Sequence, residues 1–147
     1  MAQEILIVDD ESDIRMLIAG ALDDEGFRTR DAADANSALA AIRARRPSLV
    51  LLDIWLEGSS MDGIELLETV RAEQPDLPVV MISGHGTVEM AVNAIKKGAY
   101  DFIEKPFKID RLLLVIERAI EAARLRQEVE ELKFRAGGTS ELTGGSS

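Results

Sequence analysis

Five polar residues of this chain stand where apolar stretches of strand length end. They are Asp9, Asp10, Asp53, Ser83 and Lys105. In an open sheet of parallel strands, ligands bind in a crevice outside the carboxyl ends of the strands. Each residue also has a plain structural interpretation, as a helix-start carboxylate, a turn residue or a surface lysine. Their shared position predicts that all five side chains meet in one crevice.

Phosphoryl transfer is the chemistry that such a group of side chains suits. Three carboxylates held together are costly unless a cation lies among them, and oxygen ligands with room for water suit Mg²⁺. A carboxylate beside that ion can attack phosphorus and form an acyl phosphate. Mg²⁺ and Lys105 would supply positive charge, and the Ser83 hydroxyl would donate to a phosphoryl oxygen.

The stretch that carries Asp53, residues 49–54, is a continuous apolar run interrupted only by that carboxylate. Such a run is typical of a strand covered on both faces. Other strands are predicted at residues 5–8, 27–33, 77–83 and 99–104, with a helix after each strand. Strict alternation of strands and helices indicates a parallel sheet with right-handed crossovers. We predict an α/β fold, a flavodoxin-like doubly wound sheet with strand order 2-1-3-4-5.

Local signals predict where the helices begin and end. Gly26 and Gly98 are predicted to end the first and fourth helices, and Pro47 and Pro75 follow the second and third. Thr87 is predicted to cap the start of the fourth helix.

The last helix is predicted to begin near Ile109 and to extend past the domain. Residues 1–123 are expected to form one domain, and residues 124–147 a helical linker with a disordered tail. The apolar positions of the linker are Leu125, Val129 and Leu132. This thin seam either pairs with a second copy of the chain or belongs to a frayed end. Residues 136–147, rich in Gly, Ser and Thr, are the predicted tail.

Composition narrows the classes of protein. The 147 residues carry a net charge of −10 and include no cysteine, which argues against nucleic-acid binding by this chain and excludes disulfides and thiolate chemistry. No apolar run approaches the roughly 18–20 residues of a membrane span, and the N-terminus lacks the basic region of a signal peptide. We expect a cytoplasmic protein without membrane contacts.

The same residues resemble the signature of receiver domains of two-component response regulators. The resemblance covers roughly residues 3–123. It implies that Asp53 accepts a phosphoryl group from a sensor histidine kinase and that Ser83 and Lys105 bind that group. It also implies a cis bond between Lys105 and Pro106. The cis form costs little free energy here because the second residue of the bond is proline.

The metal and switch residues follow from the same resemblance. Asp10, helped by Asp9, would hold Mg²⁺ together with Asp53 and the backbone carbonyl of Trp55. The switch residues would be Ser83 and Phe102, the aromatic that moves inward on activation. Phe102 could instead simply pack in the core, and Tyr100 is the nearest alternative switch residue.

The subtype resembles the NtrC family of transcriptional activators, on residues 83–91 and 97–107. The loop at residues 53–59 is longer than in most receivers, lacks proline, and indicates a nitrogen-related subgroup. The resemblance implies a homodimer through the face from the fourth to the last helix and through the helical linker. In a full-length protein it also implies an AAA+ ATPase domain and contacts with DNA and sigma-54 RNA polymerase, none of them through this chain.

Three rival functions remain open. A magnesium-dependent phosphatase with an aspartate nucleophile typically carries an acid two residues later, where this chain has Trp55. A flavin or nucleotide module needs a Gly-rich loop, where this chain has Asp9 and Asp10. A degenerate receiver would act only as a binding module. We expect no enzyme beyond assistance to its own phosphorylation and dephosphorylation, and a structural or exposed role for His85, the only histidine.

Overall fold

The computed structural model describes residues 3–56, 60–84 and 86–143, with side chains described up to residue 133. Within these ranges the strands are β1 (Glu4–Val8), β2 (Arg28–Ala32), β3 (Leu49–Asp53), β4 (Val79–Ser83) and β5 (Asp101–Glu104). The helices are α1 (Ser12–Asp24), α2 (Ala35–Ala44), α3 (Gly63–Glu73), α4 (Val88–Lys96) and α5 (Ile109–Thr143).

All strand pairs are parallel, and the order across the sheet is β2-β1-β3-β4-β5. The predicted fold and strand order are therefore confirmed. β3 lies in the centre, and all five of its residues are buried. Its register places Leu52 opposite Val8 of β1, and Asp53 opposite Ile82 of β4. The end of β3 is thereby enclosed by the ends of both neighbouring strands.

Alternate side chains of the strands point to opposite faces of the sheet, so the core has two halves. One half packs Leu6, Val50 and Leu52 against α2, α3 and α4, and the other packs Ile5, Leu49 and Leu51 against α1 and α5. Continuous apolar strands are thus needed because helices cover both faces.

The helix signals act as predicted. Gly26 and Gly98 have φ of +89° and +109° at the ends of α1 and α4, and the Thr87 hydroxyl accepts a hydrogen bond from the amide of Met90 at 3.1 Å. At the start of α3, Asp62 and Glu65 form a reciprocal capping box.

Three boundaries differ from the sequence predictions by two residues or more. β4 begins at Val79 rather than at residue 77. β5 begins at Asp101 rather than at residue 99, because the amide of Ala99 still donates to the carbonyl of Ala94 at the end of α4. The last helix continues to Thr143, into the segment that composition predicted to be a disordered tail. Residues 144–147 lie outside the described residues. In the part of the chain that is described, no helix has both the length and the apolar character of a membrane span.

Candidate functional site

The ends of three adjacent strands bring the predicted site residues together. Asp9 directly follows β1, Asp53 ends β3, and Ser83 ends β4. All three are almost completely buried, with exposures of 1%, 3% and 0%. Buried polar side chains of this kind need partners. The three side chains therefore lie together at the carboxyl ends of the strands.

Lys105 connects the carboxylates from the neighbouring strand end. Its Nζ lies 2.9 Å from Oδ2 of Asp9 and 3.3 Å from Oδ2 of Asp53. The more exposed Glu11 carboxylate is 3.7 Å from the same ammonium. Burial opposes the charge of Lys105, but the ion pairs with Asp9 and Asp53 outweigh it and raise the pKa of Lys105. The lysine stays positively charged in the crevice.

Asp9, Asp10 and Asp53 form a compact carboxylate cluster. One oxygen from each lies within 4.8 Å of the others. Burial, followed by the charge of Asp9, raises the pKa of Asp53 to about 6, although the amide of Trp55 and the ammonium of Lys105 act in the opposite direction. Lys105 alone offsets only part of the charge of three carboxylates. An oxygen-only donor set with this charge excess fits Mg²⁺.

Backbone amides orient two of the carboxylates. The amide of Trp55 donates to Oδ1 of Asp53 at 3.1 Å, and the amide of Glu11 donates to Oδ1 of Asp9 at 2.8 Å. In both residues Oδ2 is the atom that meets Lys105. The side chains are therefore fixed in direction.

Gly63 lies directly beside the end of β3 and was not among the predicted site residues. Its amide donates to the carbonyl of Ile54 at 2.9 Å. A Cβ at this position would lie 2.4 Å from the carbonyl oxygen of Asp53 and 2.5 Å from Cα of Ile54. Only glycine lets α3 begin this close to the end of β3. The adjacent Asp62-Gly63 pair was the available signal.

Phe102 is half-buried and packs against the core on the α4 side of the sheet. A Cβ on Gly86 would meet its ring at 2.6 Å and Cβ of Ser83 at 3.4 Å. The ring thus lies over the loop that follows Ser83. Tyr100, the alternative, is 41% exposed and lies before β5. Of these two aromatic residues, Phe102 is the one that lies close to the loop after Ser83.

The remaining predictions about the site have different outcomes. The bond between Lys105 and Pro106 is cis, as the resemblance implies. Glu57, Gly58 and Ser59 of the long loop lie outside the described residues, and so does His85, so the role predicted for that histidine stays a prediction.

The chain belongs to the response regulator receiver domain family, whose model matches residues 5–117. It is 64% identical over 133 residues to the nitrogen assimilation regulatory protein NtrX of Azorhizobium caulinodans, a match that spans 90% of this chain and 29% of that protein. The chain thus spans about 30% of the length of the curated relatives it matches.

Solved structures agree with this assignment. The receiver domain of NtrX from Brucella abortus is 67% identical, with a TM-score of 0.77, over 80% of this chain and 98% of that one. The beryllofluoride-activated NtrC4 receiver domain dimer is 38% identical, with a TM-score of 0.77, over 82% of this chain and 98% of that one. The chain is therefore a receiver domain of a two-component response regulator, similar to those of NtrX and NtrC. The subgroup indicated by the loop at residues 53–59 is the NtrX type, and that prediction is confirmed.

Proposed function

We propose that Asp53 accepts a phosphoryl group from the phosphohistidine of a sensor histidine kinase, and that this event switches the chain between two states. One observation carries the proposal. Lys105 lies within hydrogen-bond distance of both Asp9 and Asp53, at the point where the oxygens of Asp9, Asp10 and Asp53 come within 4.8 Å of one another.

In the transfer step an oxygen of Asp53 attacks the phosphorus atom. The P–N bond of the phosphohistidine breaks, and the imidazole of the kinase leaves with the electron pair. The product is a mixed anhydride on Asp53. The Lys105 ammonium and the Ser83 hydroxyl would then bind phosphoryl oxygens, so the phosphoryl group would replace part of the partnership between Lys105 and Asp9.

Asp10 and Asp53 would hold Mg²⁺, with Asp9 in support and the carbonyl of Trp55 as a further ligand. When bound, the ion neutralises charge on the transferring phosphoryl group. The raised pKa of Asp53 supports this assignment, because a cation in the cluster would favour the ionised, nucleophilic form.

The chain is the acceptor of the group rather than a turnover enzyme, and its side chains assist only its own phosphorylation and dephosphorylation. A phosphatase that acts on external phosphoesters would need an acid or base beside the nucleophile. The residue two positions after Asp53 is Trp55, which cannot transfer protons in this role and is 46% exposed.

Phosphorylation adds roughly −1 to −2 of charge at Asp53. New contacts of Ser83 with the phosphoryl group would move the loop that carries Gly86, and with it the ring of Phe102. Both states exist beforehand, and the modification shifts their populations. The surface that would respond is the face of α4 and β5, where Phe102 borders a groove with Val92 and Ile95.

We propose that this face and the α5 linker form a homodimer. Exposed apolar side chains on the face are Val88, Val92, Ile95 and Tyr100, with exposures of 79%, 46%, 45% and 41%. On the linker, Leu125, Val129 and Leu132 are also exposed. Such a concentration of exposed apolar side chains is typical of an interaction surface. Contacts with DNA and sigma-54 RNA polymerase would come from other parts of a full-length, cytoplasmic protein.

The test is the intact mass of the chain after incubation with acetyl phosphate and Mg²⁺. We expect one added phosphoryl group in the unmodified chain and none in Asp53→Asn. Asp13→Asn, an equal charge change at an exposed residue of α1, should still accept the group. Addition that persists in Asp53→Asn would overturn the proposal.

A further inference from the structure

A second polar cleft lies at the edge of the sheet opposite the carboxylate cluster. It has a volume of about 300 Å³ and is lined by residues that include Arg71, Asp76, Gly98, Tyr100, Ala122 and Arg126. Asp76 precedes β4 and Tyr100 precedes β5. The cleft therefore lies at the amino ends of these strands and shares no residue with the candidate site.

Two arginines from different helices converge on this cleft. Arg71 comes from the last turn of α3, and Arg126 from the part of α5 beyond the domain. Burial, together with the positive charge of Arg126, lowers the pKa of Arg71, while Asp76 acts against this effect. Among the side chains that the structure describes, neither arginine has a carboxylate within 4.0 Å. The positive charge of the cleft is thus only partly balanced.

Arg71 is held in position before any ligand arrives. Its Nη1 donates to the carbonyl of Leu77 at 2.9 Å. Gly98, with φ of +109°, packs against the side chain so closely that a Cβ there would lie 2.8 Å from Nε of Arg71. A guanidinium already fixed by the fold loses little freedom on binding.

We propose that the cleft binds a small oxyanion, either inorganic phosphate or a carboxylate, between Arg71 and Arg126. The guanidinium fork matches both groups with paired hydrogen bonds. The volume stands at the lower end of ligand pockets, about 300–1,000 Å³, which favours an anion of few atoms over a nucleotide.

A bound anion would tie the linker to the domain. Arg126 lies on the α5 extension, whereas Arg71 belongs to the body of the domain. The oxyanion would therefore restrain the helix that we propose as a dimer contact. The binding itself goes beyond the proposed function and does not depend on it.

The test is a titration of the isotope-labelled full chain, followed through the backbone amides of Gly98 and Ala99. EDTA is present, so that divalent cations stay out of the carboxylate cluster. Sodium phosphate, sodium succinate and sodium chloride are compared at equal ionic strength. We expect saturable chemical-shift changes of these amides with phosphate or succinate and none with chloride. Whichever of phosphate and succinate binds more tightly identifies the class of oxyanion.

Variants separate a site from general charge attraction. Arg126→Gln should weaken binding at least tenfold, while Arg118→Gln, at an exposed position of the same helix, should leave it unchanged. Arg71→Gln should also weaken it. Among the described side chains Arg126 forms no hydrogen bond or ion pair within the chain, so the Arg126→Gln result decides the proposal if Arg71→Gln unfolds. Absent saturation, equal shifts with chloride, or equal weakening in Arg118→Gln would overturn the proposal.

Discussion

Burial and the neighbouring Asp9 carboxylate make the crevice unfavourable for the charge of Asp53, and the pKa of Asp53 rises from 3.8 to about 6. Between these two values the folded chain holds a proton that the unfolded chain has lost. The free energy of unfolding therefore falls as pH rises through this window. The ionised Asp53 carboxylate therefore lowers the stability of the folded chain. Shifted pKa values of this kind are common at functional sites.

Removal of this charge should stabilise the chain without divalent cations. For Asp53→Asn in EDTA at pH 7, we expect the free energy of unfolding to rise by about 2 kcal/mol, a slightly discounted value for a pKa shift of this size. The gain should shrink toward pH 4.5, where Asp53 is protonated in the folded chain. Urea unfolding across this range measures it. Glu117→Gln, at an exposed position of α5, should show no such pH dependence. An Asp53→Asn variant less stable than the unmodified chain at pH 7 would contradict the assignment of strain to this carboxylate.

Gly63 sets the distance between α3 and the end of β3, which carries Asp53. In Gly63→Ala the new Cβ would meet only backbone atoms of Asp53 and Ile54, which cannot move aside as a side chain can. We expect a loss of about 2–3 kcal/mol in urea unfolding. Gly20→Ala is the matched control. A Cβ added at Gly20, in the middle of α1, would have no atom within 4 Å apart from its chain neighbours and the backbone of its own helix. The free energy of unfolding should therefore rise by about 0.5–1 kcal/mol in Gly20→Ala. Equal stabilities of the two variants would refute the close approach.

At the scale of elements, the apolar runs predicted the strands well. A strand that is buried on both faces is apolar throughout, so it stands out as a continuous run in the sequence. The start of β5 was harder to predict. Gly98 donates to the carbonyl of Ile95, and Ala99 donates to that of Ala94. These bonds end the helix, so that β5 begins two residues later than predicted. They cannot be predicted from the pattern of apolar residues.

The α5 linker is the element on which the proposed homodimer depends. A helix with one thin apolar seam is not stabilised by burial within a single chain. Replacement of all three seam residues, Leu125, Val129 and Leu132, by Ala should weaken any homodimer by at least tenfold, as measured by sedimentation equilibrium with acetyl phosphate and Mg²⁺. Gln127→Ala with Glu130→Ala changes the same helix outside the seam and serves as control. Equal dimer populations in both variants would show that the seam is not a contact.

At the scale of the whole molecule, the order of the strands creates the site. The residues brought together come from positions as far apart as Asp9 and Lys105, and only the 2-1-3-4-5 order places the ends of β1, β3, β4 and β5 side by side. Sequence could predict this convergence from the positions of polar residues after apolar runs. It could not predict Gly63 and Gly86, because their importance comes from contacts across the fold, with β3 and with Phe102.

Asp9, Asp10 and Asp53 bring three carboxylates together at the carboxyl end of the sheet, and the resulting negative charge should attract a divalent cation. Mg²⁺ should relieve this charge and report its binding through Trp55, the only tryptophan, whose amide contacts Asp53. We expect a saturable change in Trp55 fluorescence on titration with Mg²⁺. Asp10→Asn should weaken the response at least tenfold, whereas Asp24→Asn, at an exposed position at the end of α1, should preserve it. A flat titration of the unmodified chain would count against the metal site.

Locating the modification shows whether Asp53 is the residue that carries the phosphoryl group. An acyl phosphate is reduced by borohydride to an alcohol, so a phosphorylated aspartate becomes homoserine. After incubation with acetyl phosphate and Mg²⁺, reduction and proteolysis, mass spectrometry should find homoserine at position 53 and nowhere else in the chain. Homoserine at Asp9, Asp10 or another carboxylate, with position 53 unchanged, would contradict the account.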